Sequence, residues 1–238
     1  MNRIAKPGTL YIVATPIGNT ADITERALSV LEQTPLTLAE DTRTTKNLLS
    51  FYPGRRFHGQ ILRLDDTIQG IRLHNIVDQI HQGLDAALVS EAGTPQINDP
   101  GHALIKECVK QGIRVVPIPG ASALATIISI SDFRAQPVAF YGFLPKKKGR
   151  ATTLRRMRDS GGKYGITSVI IYEAPVRVRK TLEELQTLLG PNVRVVIGRE
   201  LTKKFEEIWY GTLATALEHF VSPRGEFTLL VQLQTSGS

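Results

Sequence analysis

The sequence predicts two α/β domains, the first a mostly parallel, doubly wound sheet and the second a mixed sheet. Three observations carry that prediction. From residue 9 to residue 118, short apolar runs alternate with stretches whose apolar residues recur at helical spacing. Beyond residue 137 the last apolar runs crowd together, close enough in sequence for antiparallel pairing. Between the two regions, residues 131–137 (SDFRAQP) have the composition of a linker, which puts the domains at 1–131 and 132–238.

The first strand is predicted at 9–14 (TLYIVA), running into the turn TPIGN. A helix follows from about Asp22, with Asp22 and Glu25 spaced as a capping box. A short strand at 36–39 ends in Glu40, Asp41, Thr42 and Arg43, and a short helix closes at Pro53 and Gly54. A third strand is expected at 61–64 and a helix at 71–82. Residues 86–90 form a fourth, buried strand that opens into EAGTPQINDPG, with a helix resuming after Gly101. The fifth strand, 114–118, ends in Pro119 and Gly120. The helix after it (LATIISI) has almost no polar face, so it is expected to be buried on most sides. In the second half, strands are predicted at 168–172, 193–197, 208–213 and 227–233, with helices at 176–189 and 214–220.

Strand, irregular loop, helix is the arrangement that places a ligand at the carboxyl end of a parallel strand. Here three such ends carry Pro/Gly turns and a fourth carries charge. Gly93 stands out, because a residue without a Cβ lets the backbone approach a ligand closely.

Composition narrows the chemistry. A single cysteine, Cys108, excludes an internal disulfide and a cysteine-based zinc cluster. His58, His74, His81, His102 and His219 show no ligand spacing, so no metal is expected. No apolar run is long enough to span a bilayer, and the N-terminus has no signal-peptide core, so the expectation is a cytoplasmic protein away from membranes. The net charge of +7 is unevenly divided. Residues 1–131 carry twelve Lys/Arg and twelve Asp/Glu, while residues 132–238 carry seventeen and ten. Residues 146–163 (KKKGRATTLRRMRDSGGK) alone hold eight cations and one acid, a density that suits either an anionic partner or a solvated, solubilising segment.

Neither a P-loop nor a dinucleotide fingerprint is present, and there is no nucleophile elbow. The turns offer backbone groups, small residues and the hydroxyls of Thr15, Thr94 and Ser122, a lining for a nucleoside-type ligand without phosphates. Glu40, Asp41 and Glu91 add carboxylates.

The ordered motifs LYIVATPIGN, LAEDTRTT, SEAGTPQINDPG, PIPGASA, YGFLP, IYEAPVR, GRELTKKFEE and RGEFTLLV resemble the S-adenosylmethionine-dependent tetrapyrrole methylase superfamily. Within it they resemble the ribosomal RNA small subunit methyltransferase I family, over about residues 8–233. The resemblance implies a cofactor cleft between two α/β domains and 2′-O-methylation of a cytidine in 16S rRNA, with rRNA or the small subunit as partner and a homodimer as the assembly. It also implies S-adenosylmethionine contacts at Ile17, Ala92, Gly93, Thr94, Ile97, Ser122 and Ala123, and at Glu173 and Leu201. Asp41 and Glu40 are the candidate catalytic bases for the ribose hydroxyl, Asp41 serving equally well as a helix cap. Arg43, Lys146, Lys147, Lys148 and Arg150 are the candidate RNA contacts.

The chain departs from the family pattern at Glu91, where aspartate is usual, and at Val176, where histidine is usual. It also departs at Arg63, Leu64, Asp65 and Asp66, and it stops at its last strand where many members continue into a helical extension. Alternatives that share the sequence features are a tetrapyrrole C-methyltransferase and a non-catalytic RNA- or ribosome-binding module.

Overall fold

The computed structural model describes residues 6–64 and 70–233. They form two compact units, Met1–Ser122 and Ala123–Ser238. Asp65 and Asp66 lie outside the described residues.

The first unit holds strands β1 (Thr9–Val13), β2 (Leu36–Ala39), β3 (Gln60–Arg63), β4 (Ala86–Val89) and β5 (Arg114–Ile118). They form one parallel sheet in the order β3-β2-β4-β1-β5. Helices α1 (Glu25–Gln33) and α2 (Thr42–Ser50) cover one face, and α3 (Ile71–His81) and α4 (His102–Lys110) the other. Strand β4 shows why its sequence is apolar without alternation. Ala86 and Leu88 pack with α3 and α4, whereas Ala87 and Val89 pack with the opposite layer, so both faces of the strand are buried. Each fully buried leucine of these layers contributes roughly 1.5–3 kcal/mol of transfer free energy. The chain leaves β1 towards one side of the sheet and β4 towards the other, so this adjacent pair marks the topological switch.

Helix α1 begins later than its sequence pattern suggests. Thr24, not Asp22, is the cap, its hydroxyl accepting from the Ala27 amide, while Asp22 ends a short 3-10 turn.

The second unit comprises α5 (Ala123–Ser129), β6 (Val138–Phe143), α6 (Arg150–Tyr164), β7 (Ser168–Glu173), α7 (Pro175–Leu189), β8 (Arg194–Arg199), β9 (Glu207–Thr212), α8 (Leu213–His219) and β10 (Phe227–Gln232). The sheet order is β6-β7-β10-β8-β9. Strands β6 and β7 are parallel, and β10 lies antiparallel between β7 and β8. The carboxyl ends of β6, β7 and β8 therefore share one edge with the starts of β9 and β10. Helices α6, α7 and α8 pack on one face, and α5 packs on the other through Ile127 against Ile170, Val196 and Leu230.

Helix α5 corrects one expectation. Only Ile127 among its residues is fully buried, so the helix covers a sheet face with one side and is not enclosed. It also belongs to the second unit, which places the division nine residues ahead of the 131/132 linker.

Candidate functional site

The loops leaving β1 and β4 are tied together at the switch. Thr15 and Gly93 form a two-way bridge, Thr15 N–H donating to the Gly93 carbonyl at 2.8 Å and Gly93 N–H to the Thr15 carbonyl at 3.0 Å. The Gly93 carbonyl also accepts from the Ser90 hydroxyl at 2.8 Å and the Thr15 hydroxyl at 3.4 Å. Thr15 and Ser90 are buried, so their hydroxyls hold the loop and are turned away from any ligand. The Thr94 hydroxyl is likewise occupied, donating to the Ala121 carbonyl at 3.2 Å, which joins this loop to the one after β5.

Backbone strain concentrates here. Gly93 has φ +87° and Gly101 +133°, but Gln96 and Asn98 also adopt φ +69° and +70°, where a side chain carries a steric penalty. A Cβ built on Gly93 would stand 3.2 Å from Ile17 Cγ2. Ile17, Ala92, Gly93, Thr94 and Ile97 thus gather where the two loops meet, with Ser122 at the end of the loop bonded to Thr94.

The carboxylates at this edge differ in role. Asp41 caps α2, accepting from the amides of Arg43 at 2.7 Å and Thr44 at 3.3 Å. Those two amides hold its carboxyl below the usual carboxylate range. A carboxylate held in this way is a weaker base than an unpaired one, and its first role here is the helix cap. Arg43 is exposed, with its guanidinium 3.8 Å from Asp41. Asp99, three residues after Gln96 in the strained loop, is the group that sequence reasoning missed. Burial, together with the nearby charges of Glu40 and Glu91, pushes its carboxyl up to about 7. The visible signal was a second acid in the loop that Glu91 opens, a loop already marked by its turns; the proximity of Glu40 needed the sheet.

In the second unit, Glu173 is buried at the end of β7. Its carboxylate accepts from the Ala174 amide at 2.9 Å and the Thr181 hydroxyl at 2.7 Å, and pairs with Arg177 at 2.6 Å and Arg150 at 3.8 Å. Three of these partners lie within hydrogen-bond reach of the carboxylate, and Arg150 adds a longer-range ion pair. The Glu173 side chain is therefore a structural anchor for the start of α7 and for both arginines. Arg150 is corrected as a phosphate contact. Its side chain is only 7% exposed and is engaged by Glu184 at 2.7 Å and by Thr181, so it cannot reach a surface anion. Lys146, Lys147 and Lys148 are exposed. Leu201 is buried against Gly198, on a turn whose Glu200 and Thr202 have φ +51° and +65°. Leu201 and Ala123, at the start of α5, lie in the second unit.

Residues 9–217 match the family described as Tetrapyrrole (Corrin/Porphyrin) Methylases. The chain is 40% identical to the ribosomal RNA small subunit methyltransferase I of Haemophilus influenzae, over 94% of this chain and 78% of that protein. The chain belongs to this methyltransferase family. The family member of the same name from Thermotoga maritima is 37% identical, over 94% of this chain and 98% of its own length. The uroporphyrin-III C-methyltransferase of Thermus thermophilus, solved with S-adenyl homocysteine, superposes with a TM-score of 0.64 over 94% of this chain and 97% of its own. At 16% identity that likeness concerns the fold. Family membership makes the chain a methyltransferase, and the two α/β sheets are the family's architecture. Among the described residues, no group of three His, Cys, Asp or Glu is placed to hold a metal, and no helix is long and apolar enough to cross a membrane.

Proposed function

We propose that the chain transfers a methyl group from S-adenosylmethionine to the ribose 2′-hydroxyl of a cytidine in 16S rRNA of the small ribosomal subunit. The observation that carries this reading is the 40% identity, along nearly the whole chain, to proteins named for methylating small-subunit rRNA.

The first unit's switch suits the cofactor chemically. S-adenosylmethionine is a nucleoside with a sulfonium cation and no phosphate, and the loops supply backbone groups, a glycine-sized gap beside Ile17 and three carboxylates. Ile17, Ala92, Gly93, Thr94, Ile97 and Ser122 would hold it. When bound, the cofactor supplies an electrophilic methyl group on sulfur.

The chain's own task is to take the proton from a ribose hydroxyl, which is a poor nucleophile while protonated. Asp99 is the acceptor in this reading. A base whose proton affinity lies near neutral pH combines availability with driving force, and positioned general bases are worth about 10²–10⁴-fold. Glu40 and Glu91 act through Asp99, their charge making its carboxylate more basic. Family resemblance also implies a homodimer and a cytoplasmic location; light scattering at micromolar concentration checks the first.

Transfer of labelled methyl groups to small subunits lacking the modification tests the proposal. Alkali-resistant label at one cytidine is expected, because a 2′-O-methyl group blocks strand cleavage. Label on a tetrapyrrole and none on RNA would replace this reading with the C-methyltransferase one.

A further inference from the structure

The second unit's shared strand edge carries an unusual surface. Phe143 ends β6 and is 55% exposed, Val176 opens α7 and is 90% exposed, and Phe205, between β8 and β9, is 66% exposed. Single exposed apolar residues are ordinary on a protein surface. Three at one edge, interleaved with cations, are not. Lys146, Lys147 and Lys148 follow Phe143 after Leu144 and Pro145, and Lys204 Nζ lies 5.6 Å from the centroid of the Phe205 ring. Among the described residues, none of these four lysines pairs with a carboxylate. The acids nearby are largely committed, Glu200 and Glu226 to Lys203 and Glu207 to Arg199 and His219.

The edge is also held rigidly. Phe143 packs edge-on against Tyr172, with ring centroids 5.9 Å apart. Arg177 and Arg150, both paired with Glu173, donate to the carbonyls of Leu144 at 3.1 Å and Pro145 at 3.2 Å. The buried ion cluster thereby fixes the chain immediately before the lysine run. From β6 across β7 and β10 to β8 the edge spans three strand spacings, about 15 Å. Phe143 and Phe205 thus stand at opposite ends of a short, basic, ring-bearing rim.

We propose that this edge binds an unstacked single-stranded RNA segment, with bases stacking on Phe143 and Phe205 and phosphates held by Lys146, Lys147, Lys148 and Lys204. Stacking on aromatic rings and backbone tracking by cations are the two parts of single-strand recognition, and both are present here. The inference rests on the rRNA-methyltransferase reading and adds to it the surface that grips the strand. It also gives the exposed rings a role that a basic segment alone does not.

The test measures anisotropy of a fluorescent single-stranded oligoribonucleotide on the full chain at several salt concentrations. Phe143→Leu with Phe205→Leu should weaken binding by roughly tenfold per ring at every salt, leaving the salt slope unchanged. Lys146→Ser with Lys147→Ser and Lys148→Ser should instead reduce the log–log slope by about 2. Phe143→Trp should restore or strengthen binding, a rescue that a packing role would not show. Unchanged thermal melting of the Leu pair establishes that it folds. Wild-type affinity in the Leu pair overturns the proposal, as does a Leu pair that dissociates a dimer while keeping its RNA affinity. Ring-dependent binding of uroporphyrin in place of RNA overturns it too. Methyl transfer to subunits separates the two readings: an active wild type whose Leu pair keeps its KM sinks the stacking surface alone, whereas a wild type that neither binds nor methylates RNA sinks both.

Discussion

The carboxyl edges of the two sheets are built from opposite materials. In the first unit that edge is acidic and made of small residues, with four positive-φ residues between Gly93 and Gly101 and an Asp99 whose carboxyl is raised towards neutrality. In the second unit it is basic and aromatic, with lysines and phenylalanines set out from a buried ion cluster around Glu173. The first arrangement destabilises negative charge and so keeps a proton acceptor reactive. The second stabilises charge below the surface and leaves cations available above it. In the function proposed above, the doubly wound parallel sheet presents the reacting edge and the mixed sheet the gripping edge.

The largest expected effect breaks the first edge. Asp99→Asn should lower methyl transfer by about 10²–10⁴-fold while cofactor affinity changes little. In the wild type, activity should rise with pH through about 7 and then level off, and the variant should lack that rise. Stability should run the other way. Because the folded carboxyl binds its proton more tightly than the unfolded one, stability is full below the unfolded value near pH 4 and is lost as pH rises through about 7. Asp99→Asn should therefore be more stable than wild type at pH 8, by about 1–2 kcal/mol after allowing for the water that reaches a half-buried group. Thermal melts at pH 5 and pH 8 decide this.

Glu173→Gln breaks the second edge from beneath. Removing one charge from a buried cluster should destabilise the protein by about 3 kcal/mol, seen in urea unfolding. A Gln variant as stable as wild type would mean that Arg150 and Arg177 are compensated elsewhere.

Smaller effects sharpen the contrast. Gly93→Val places a branched side chain at φ +87°, against Ile17, and should weaken S-adenosylmethionine binding by about tenfold or more in calorimetry. RNA affinity should be unaffected. Thr15→Val removes one of the donors to the Gly93 carbonyl and should lower stability by about 1 kcal/mol without touching the second unit.

Much of this organisation was legible in the sequence. Continuous apolar runs such as 86–89 announced strands buried on both faces, and Gly93 announced a backbone turn that other residues resist. The acids and cations were harder to read, because their roles depend on what the fold brings beside them. Asp41 and Asp99 are both aspartates in turns, yet two amides make one a cap, while burial and then the charges of Glu40 and Glu91 make the other basic. Arg150 sits among exposed lysines in sequence, but helix α6 turns it inward to Glu184 and Thr181. The nine-residue difference in the domain division has the same origin: α5 follows β5 along the chain but finds its apolar partners on β7, β8 and β10.

The bridge between Thr15 and Gly93 links loops that lie 78 residues apart in the chain. Its amide protons are held as strand amides are, so in deuterated solvent they should exchange with the slow protons of β1 and β4, not with the fast ones of exposed turns. The two loops would then open together or stay closed together. A substitution in either one would be felt as lost amide protection in the other, and a small molecule seated on one would quiet both.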